Sequence, residues 1–299
     1  MILIQAGQEE DIVVQDNGSR PPSINEHEFE AIAGFLGESP QTVISLHMLE
    51  HGVCEVICVG SPHAPEGVVI QSTEYPQEPI AYGDAEAIAS ILHGLAGWTC
   101  LNVPADLAGA LEEDVRRAAN ASSVRMLDDV YHILETPSPE FNMPDVRLMT
   151  RADADLFRSA PDELDGADDA WLLRNLEHGY VAGAIRNGQI VSLAHTFATS
   201  KVYADLGVRT MTDWRRKGLA TAAASIVARA IQRDGRTPVW SCGNVNVASL
   251  AVAARLGFRE VSRRVYLIPV MDPDLAIQES GGLEPFDIGN DRGGAEAPR

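Results

Sequence analysis

The stretch Asp-Trp-Arg-Arg-Lys-Gly-Leu-Ala-Thr at 213–221 sets three cations, Arg215, Arg216 and Lys217, ahead of an amphipathic run. Leu219, Ala222, Ala223, Ile226, Val227, Ala230 and Ile231 recur at helical spacing, so the cations stand at a helix N-terminus. That end of a helix is already partly positive, and each cation there costs about 0.3–1 kcal/mol. A bound polyanion reverses the sign. First-turn N–H groups lack intrahelical partners and, with the macrodipole, suit a pyrophosphate. In Arg215-x-x-Gly218-x-Ala220, Gly218 admits phosphates close to the backbone, Ala220 keeps the next turn narrow, and the cations bring countercharge. The chemistry expected of this loop is the binding of a phosphorylated ligand.

The elements that position the loop are legible from Asp145 onward. A strand over 145–150 leads to helices over 153–158 and 168–179, the second stopped by Gly179. Asn187-Gly188 joins two strands within 180–198, the strongest short hairpin signal. A strand over 201–210 feeds the basic loop and its helix. A strand over 238–242, a helix over 246–258 ending near Gly257, and a strand over 260–270 complete the half.

The first half repeats part of this order. Trp-Thr-Cys-Leu-Asn-Val at 98–103 resembles Trp-Ser-Cys-Gly-Asn-Val at 240–245, and Val-Tyr-His-Ile at 130–133 resembles Val-Tyr-Leu-Ile at 265–268. Their order predicts a duplicated domain. The boundaries expected are a first domain over 1–135, a proline-rich linker over 136–144, a second domain over 145–271 and a disordered tail over 272–299.

Both motif blocks of the second half, Arg215-x-x-Gly218-x-Ala220 and Asn246-x-x-Ser249 with a helix ending in Gly257-Phe258, resemble the acyl-CoA signatures of the GCN5-related N-acetyltransferase (GNAT) superfamily. The resemblance covers about residues 145–270. It implies an α/β (α+β) protein of two GNAT-like domains. Each would hold a mixed, mostly antiparallel sheet flanked by helices, and the second a splayed strand pair for acyl-CoA. It implies acetyl-CoA as co-substrate, with Val208, Arg209 and Thr210 along the pantetheine arm and Arg215, Arg216, Lys217, Gly218, Leu219, Ala220 and Thr221 around the pyrophosphate. Asn246 and Ser249 would face the ligand from the other side. The reaction implied is direct attack of a primary amine on the thioester.

The sequence departs from the family at the position where many relatives carry a thiolate-protonating tyrosine, seven residues after the asparagine. Here it is Ala253. Ser249, Tyr203 and Tyr266 are candidates for that proton, and Asp205 and His195 for the base. Strand parity sets Asp205 apart from Val208 and Thr210 unless a bulge intervenes. In the first half no basic loop follows Tyr82, and Pro104 aligns with Asn246, so this copy is expected to be degenerate. A non-catalytic acyl-CoA-binding protein is the alternative reading.

The rest of the sequence bounds the partners. A net charge of -20 argues against nucleic acid and favours cationic small molecules. The acidic run 162–169 lies where relatives build the acceptor pocket; it reads first as a solvated loop, with selection of a cationic amine as the alternative, and the acceptor expected is a small-molecule amine. No apolar run approaches the ~18 residues a membrane helix needs, and the N-terminal stretch carries no basic region before its apolar one. The expectation is a cytoplasmic protein without a membrane partner. Cys54, Cys58, Cys100 and Cys242 form no Cys-x-x-Cys pair and read as core thiols. His47-Met-Leu-Glu-His51 has the form H-x-x-E-H, but Gly52 ends the helix and no acidic third ligand stands out, so no metal is expected. The sequence assigns no oligomeric state.

Overall fold

Turn chemistry sets the strand boundaries. Asn187 and Gly188 both take left-handed φ values, 51° and 77°, the pair of conformations a two-residue hairpin turn of matching twist requires. The computed structural model describes residues 28–164 and 166–271. The tail expected over 272–299 lies outside the described residues.

The first half runs α1 (Phe29–Leu36), α2 (Val43–His51), β1 (Cys54–Ser61), β2 (Ala64–Ser72), β3 (Ile80–Gly83), α3 (Ala85–Leu92), β4 (Leu101–Pro104), α4 (Ala108–Ala118) and β5 (Ser123–Ile133). The second runs β6 (Val146–Leu148), α5 (Ala154–Arg158), α6 (Asp169–His178), β7 (Val181–Arg186), β8 (Gln189–Thr199), β9 (Tyr203–Thr210), α7 (Leu219–Arg233), β10 (Thr237–Gly243), α8 (Val247–Leu256) and β11 (Arg259–Val270). The β3-α3-β4-α4-β5 order of the first half recurs as β9-α7-β10-α8-β11.

Among the described residues eleven strands join one mixed, mostly antiparallel sheet in the order β1-β2-β3-β4-β11-β5-β10-β9-β8-β7-β6. The last strand of each half is exchanged: β5 lies between β10 and β11, and β11 lies between β4 and β5. The β5–β11 ladder sets Asp129 opposite Arg264, and Val130 opposite Arg263 mirrors Asp128 opposite Val265. The two Val-Tyr repeats therefore occupy matching places about this pair. The Trp-x-Cys repeats do not. Ser241 lies opposite Tyr131 while Asn102 lies opposite Tyr266, so strand register matches Asn102 to Ser241 and shifts the letter alignment by three residues. Four shared letters ignored the register that hydrogen bonding fixes.

Alternating residues assign the two faces. Ala204, Leu206, Val130 and Trp240 pack with Ala223, Val227 and Ile231 of α7 in one core cluster. Leu101, Val103, Val265 and Leu267 pack with residues of α3 and α4 in another. The opposite face carries α1 and α2 over the first half, through Phe29, Ile32, Met48 and Leu49, and α5 and α6 over the second, through Phe157 and Leu172. Between these two pairs of helices, that face presents Asp205, Ser241, Tyr131, Asp129 and Arg264. All four cysteines are free thiols, three of them buried. No helix among the described residues is long and apolar enough to cross a membrane.

Candidate active site

The strands β9 and β10 are parallel neighbours for only three pairs: Tyr203–Thr237, Ala204–Pro238 and Asp205–Val239. Beyond Asp205 they part, β9 continuing to Thr210 and β10 to Gly243 without a shared ladder. A bulge in β8 lies beside the parting point, where the register with β9 shifts between Thr196 and Ala198. Such bulges bend a strand and increase its twist. On the far side β9 stays paired to β8, and the Met211 N–H donates to the Val191 carbonyl at 3.1 Å. Antiparallel alternation then turns the backbone groups of Val208 and Thr210 away from β8, into the opening.

The basic loop closes the wide end. Thr212–Trp214 forms a turn of 3-10 helix, Arg216 takes a φ of 60°, and Gly218, the N-cap of α7, takes 78°. A left-handed non-glycine residue costs about 1–2 kcal/mol, so the Arg216 backbone is strained at the candidate site. The first helical bond runs from the Ala222 N–H to the Gly218 carbonyl at 3.0 Å. The N–H groups of Leu219, Ala220 and Thr221 thus lack intrahelical acceptors, and Gly218 offers no side chain to cap them. A Cβ on Gly218 would meet only Met143 Sδ at 3.8 Å, so its left-handed φ demands the glycine here, and packing does not. The Arg215, Arg216 and Lys217 side chains are exposed. Lys217 Nζ rests 4.4 Å from the Trp214 ring centre, and Arg215 Nε donates to the Thr210 carbonyl at 3.2 Å. Uncapped donors, a glycine cradle and exposed cations fit a pyrophosphate.

Not every ligand-binding candidate faces that loop. Arg209 Nη1 donates to the Leu164 carbonyl at 3.0 Å, under the α5–α6 segment. Thr210 Oγ1 shares a 2.7 Å hydrogen bond with Ser192 Oγ. Leu219 is buried against Ala184 and Val191. Asn246 caps α8, its Oδ1 accepting from the Ser249 N–H at 3.0 Å, and Ser249 Oγ accepts from the Trp240 indole at 2.9 Å. The Asn-x-x-Ser motif therefore sets the start of α8 beside β10. Ala253 is buried in the core with α7.

The catalytic candidates separate by face. Asp205, the last residue of β9 to pair with β10, lies opposite α7 and is 2% exposed. Its Oδ2 accepts from Ser241 Oγ at 2.9 Å, and its Oδ1 has no partner. Burial raises this carboxyl to about 7; the Ser241 hydrogen bond opposes the rise and the charge of Asp129 adds to it. His195 pairs with Gly207, and a Cβ on Gly207 would collide with the imidazole. Its ring stands edge-on to Trp171 at 5.0 Å. Burial, then the charge of Arg209, lowers this histidine to about 3, so it is neutral at physiological pH. Tyr203 shares the Asp205 face and packs on Tyr131 and Val239. Tyr266 is not brought to the opening: it lies three strands from β9, and its hydroxyl donates to Glu78 at 3.3 Å.

Two residues absent from the sequence expectations join this face because β5 is inserted beside β10. Tyr131 stands opposite Ser241, and its hydroxyl donates to Asp129 Oδ2 at 2.7 Å. The Val-Tyr repeat marked that segment, but letters alone did not give its strand neighbour. The acidic run over 162–169 is largely engaged elsewhere. Glu163 accepts from the Thr212 N–H at 2.7 Å, Asp168 caps α6, and Asp169 pairs with Arg158 at 2.7 Å. His47 and His51 meet a third ring, His178 of α6, with centroids 4.1–5.7 Å apart. Among the described residues no group of three or more His, Cys, Asp or Glu has a geometry that could hold a metal.

A sheet parted between two parallel strands, with a glycine-led helix N-terminus at the wide end, is the arrangement that the resemblance to the GCN5-related N-acetyltransferases implies. Residues 174–266 match the family model described as GNAT acetyltransferase, so the likeness to that family lies in the second half of the chain. An uncharacterized N-acetyltransferase, YdfB, of Bacillus subtilis is 27% identical over 84 residues. That match covers 28% of this chain and 32% of the relative, so the chain spans about a third of its length. A solved GCN5-related N-acetyltransferase-like protein from Streptococcus suis is 20% identical, with a TM-score of 0.59 over 81% of this chain and 98% of that one. A tandem GNAT protein from the clavulanic acid biosynthesis pathway is 15% identical, with a TM-score of 0.52 over 81% and 93%. At these identities the two structures share the fold.

Proposed function

We propose that the chain is an N-acyltransferase that moves an acetyl group from acetyl-CoA to a primary amine, with the second half holding the donor. The observation that carries this reading is the β9–β10 opening, bounded at its narrow end by a buried, half-partnered carboxylate and at its wide end by an uncapped helix start. Acetyl-CoA supplies the thioester. The Val208 and Thr210 backbone would orient the pantetheine arm, and residues 215–221 would hold the pyrophosphate. Asp205 takes a proton from the acceptor ammonium; the neutral nitrogen adds to the thioester carbonyl, and as the C–S bond breaks the extra proton left on nitrogen passes to the departing thiolate. An N–H of the parted β9 edge would steady the developing oxyanion. The first half, with Asp84 rather than cations at the start of α3, serves as a copy that binds no donor.

The test is CoA release over a panel of primary amines, with the acetylated product identified by mass. Amine-dependent release at one acetyl group per CoA is expected. Donor binding without release on any amine would replace this reading with the second one, a non-catalytic acyl-CoA-binding protein, which the lack of a tyrosine at position 253 favours. Comparing acetyl-, propionyl- and benzoyl-CoA sets the acyl preference.

A further inference from the structure

The strip of sheet between α1–α2 and α5–α6 gathers three carboxyl groups, those of Asp129, Asp205 and Glu78, near the guanidinium of Arg264. Asp129 on β5 is 2% exposed. Its Oδ2 accepts from Tyr131 and, at 3.2 Å, from Asn102 Nδ2, while its Oδ1 has no partner. Asp205, two strands away, likewise leaves Oδ1 unpaired. Glu78 is the third carboxylate, within electrostatic reach of Asp129 and raised to about 7, chiefly by burial.

Arg264 stands directly opposite Asp129 in the β5–β11 ladder, yet its guanidinium is turned elsewhere. Nε donates to Asn102 Oδ1, Nη2 donates to the Ala81 carbonyl at 2.6 Å and the Asn102 carbonyl at 3.1 Å, and the group stacks over Tyr82 at 4.5 Å. On its other side Asp129 is opposite Gly243, which puts no side chain over it. A buried acceptor without a donor is unfavourable, more so when charged. Two such oxygens on one strip, one at the candidate base and one beyond it, suit a ligand with two positive nitrogens.

We infer that Asp129, brought in by the first half, selects the acceptor: a linear polyamine whose distal ammonium sits on Asp129 while its reacting nitrogen lies at Asp205. This rests on the acyltransferase reading above. Asp205 pairs with Val239 and Val239 with Ile133, so at the backbone the two aspartates are two strand spacings, about 10 Å, across and four residues, about 14 Å, along. Ser241 and Tyr131, opposite one another, stand between them, their hydroxyl groups donating to Asp205 and Asp129. A monoamine reaches one carboxylate; a polyamine reaches toward both.

Calorimetry with spermidine and n-butylamine as probes, on the full chain with and without acetyl-CoA, tests this. Spermidine is expected to bind at least about tenfold tighter than n-butylamine (about 1.4 kcal/mol). Asp129→Asn should abolish that preference while leaving acetyl-CoA affinity within about twofold. Asp129→Glu keeps the charge and should keep the preference, which guards against a fold defect in the neutral variant. Spermidine that fails to bind a chain that does bind acetyl-CoA overturns the inference and leaves the acyltransferase reading standing. A preference that survives Asp129→Asn overturns it too. No acetyl-CoA binding overturns both.

Discussion

An alkylammonium must lose its proton before its nitrogen can attack, and a carboxyl group raised toward neutrality is matched to that task. Asp205 is raised to about 7 by burial. A base works only when ionised, so kcat/KM is expected to rise with pH through about 7 and to level above it. Asp205→Asn should lower kcat/KM by about 10²–10⁴-fold and remove that inflection; a pH profile that keeps it would assign the base elsewhere. The sequence made Asp205 a candidate but set it at odds with Val208 and Thr210 by parity. That objection treated side-chain and backbone directions as one. Val208 and Thr210 present backbone along the strand edge, whereas Asp205 presents its side chain to the face opposite α7. Asp129 and Tyr131 were out of reach, because only the sheet order brings them beside β10.

At the scale of elements, the basic loop, its helix and the hairpin at Asn187-Gly188 were all legible, since each rests on local spacing and turn chemistry. The exchange of β5 and β11 was not, because a strand's partners depend on register and topology rather than on its own letters. The loop also stores strain at Arg216, whose φ of 60° favours glycine. Arg216→Gly should relieve about 1 kcal/mol of it and raise Tm by a few degrees, while weakening acetyl-CoA binding through the lost charge. Opposite signs in thermal melts and in donor affinity would mark strain kept for binding. A variant that melts lower, or binds the donor as well as the parent, would deny it.

At the scale of the whole molecule, the halves share a sheet and also meet where His47 and His51 of α2 approach His178 of α6. Burial, then the charges of His51 and His178, lowers His47 from 6.5 to about 4. Its ring also accepts from the Thr199 N–H at 3.3 Å. Between pH 6.5 and 4 the unfolded chain binds a proton at this ring that the native chain refuses, so stability is present above 6.5 and lost as pH falls toward 4. His47→Gln removes that loss, and the Tm advantage of the parent over the variant should shrink across this window. An advantage constant with pH would place the shift elsewhere.

The central claim is one donor site per chain, built at the β9–β10 opening and the start of α7. Calorimetric titration of acetyl-CoA into the full chain tests it most directly. The account predicts a stoichiometry of one, abolished by Gly218→Asp, which puts a negative side chain in a left-handed position facing the pyrophosphate cradle. No binding, two sites per chain, or binding indifferent to Gly218→Asp would contradict it.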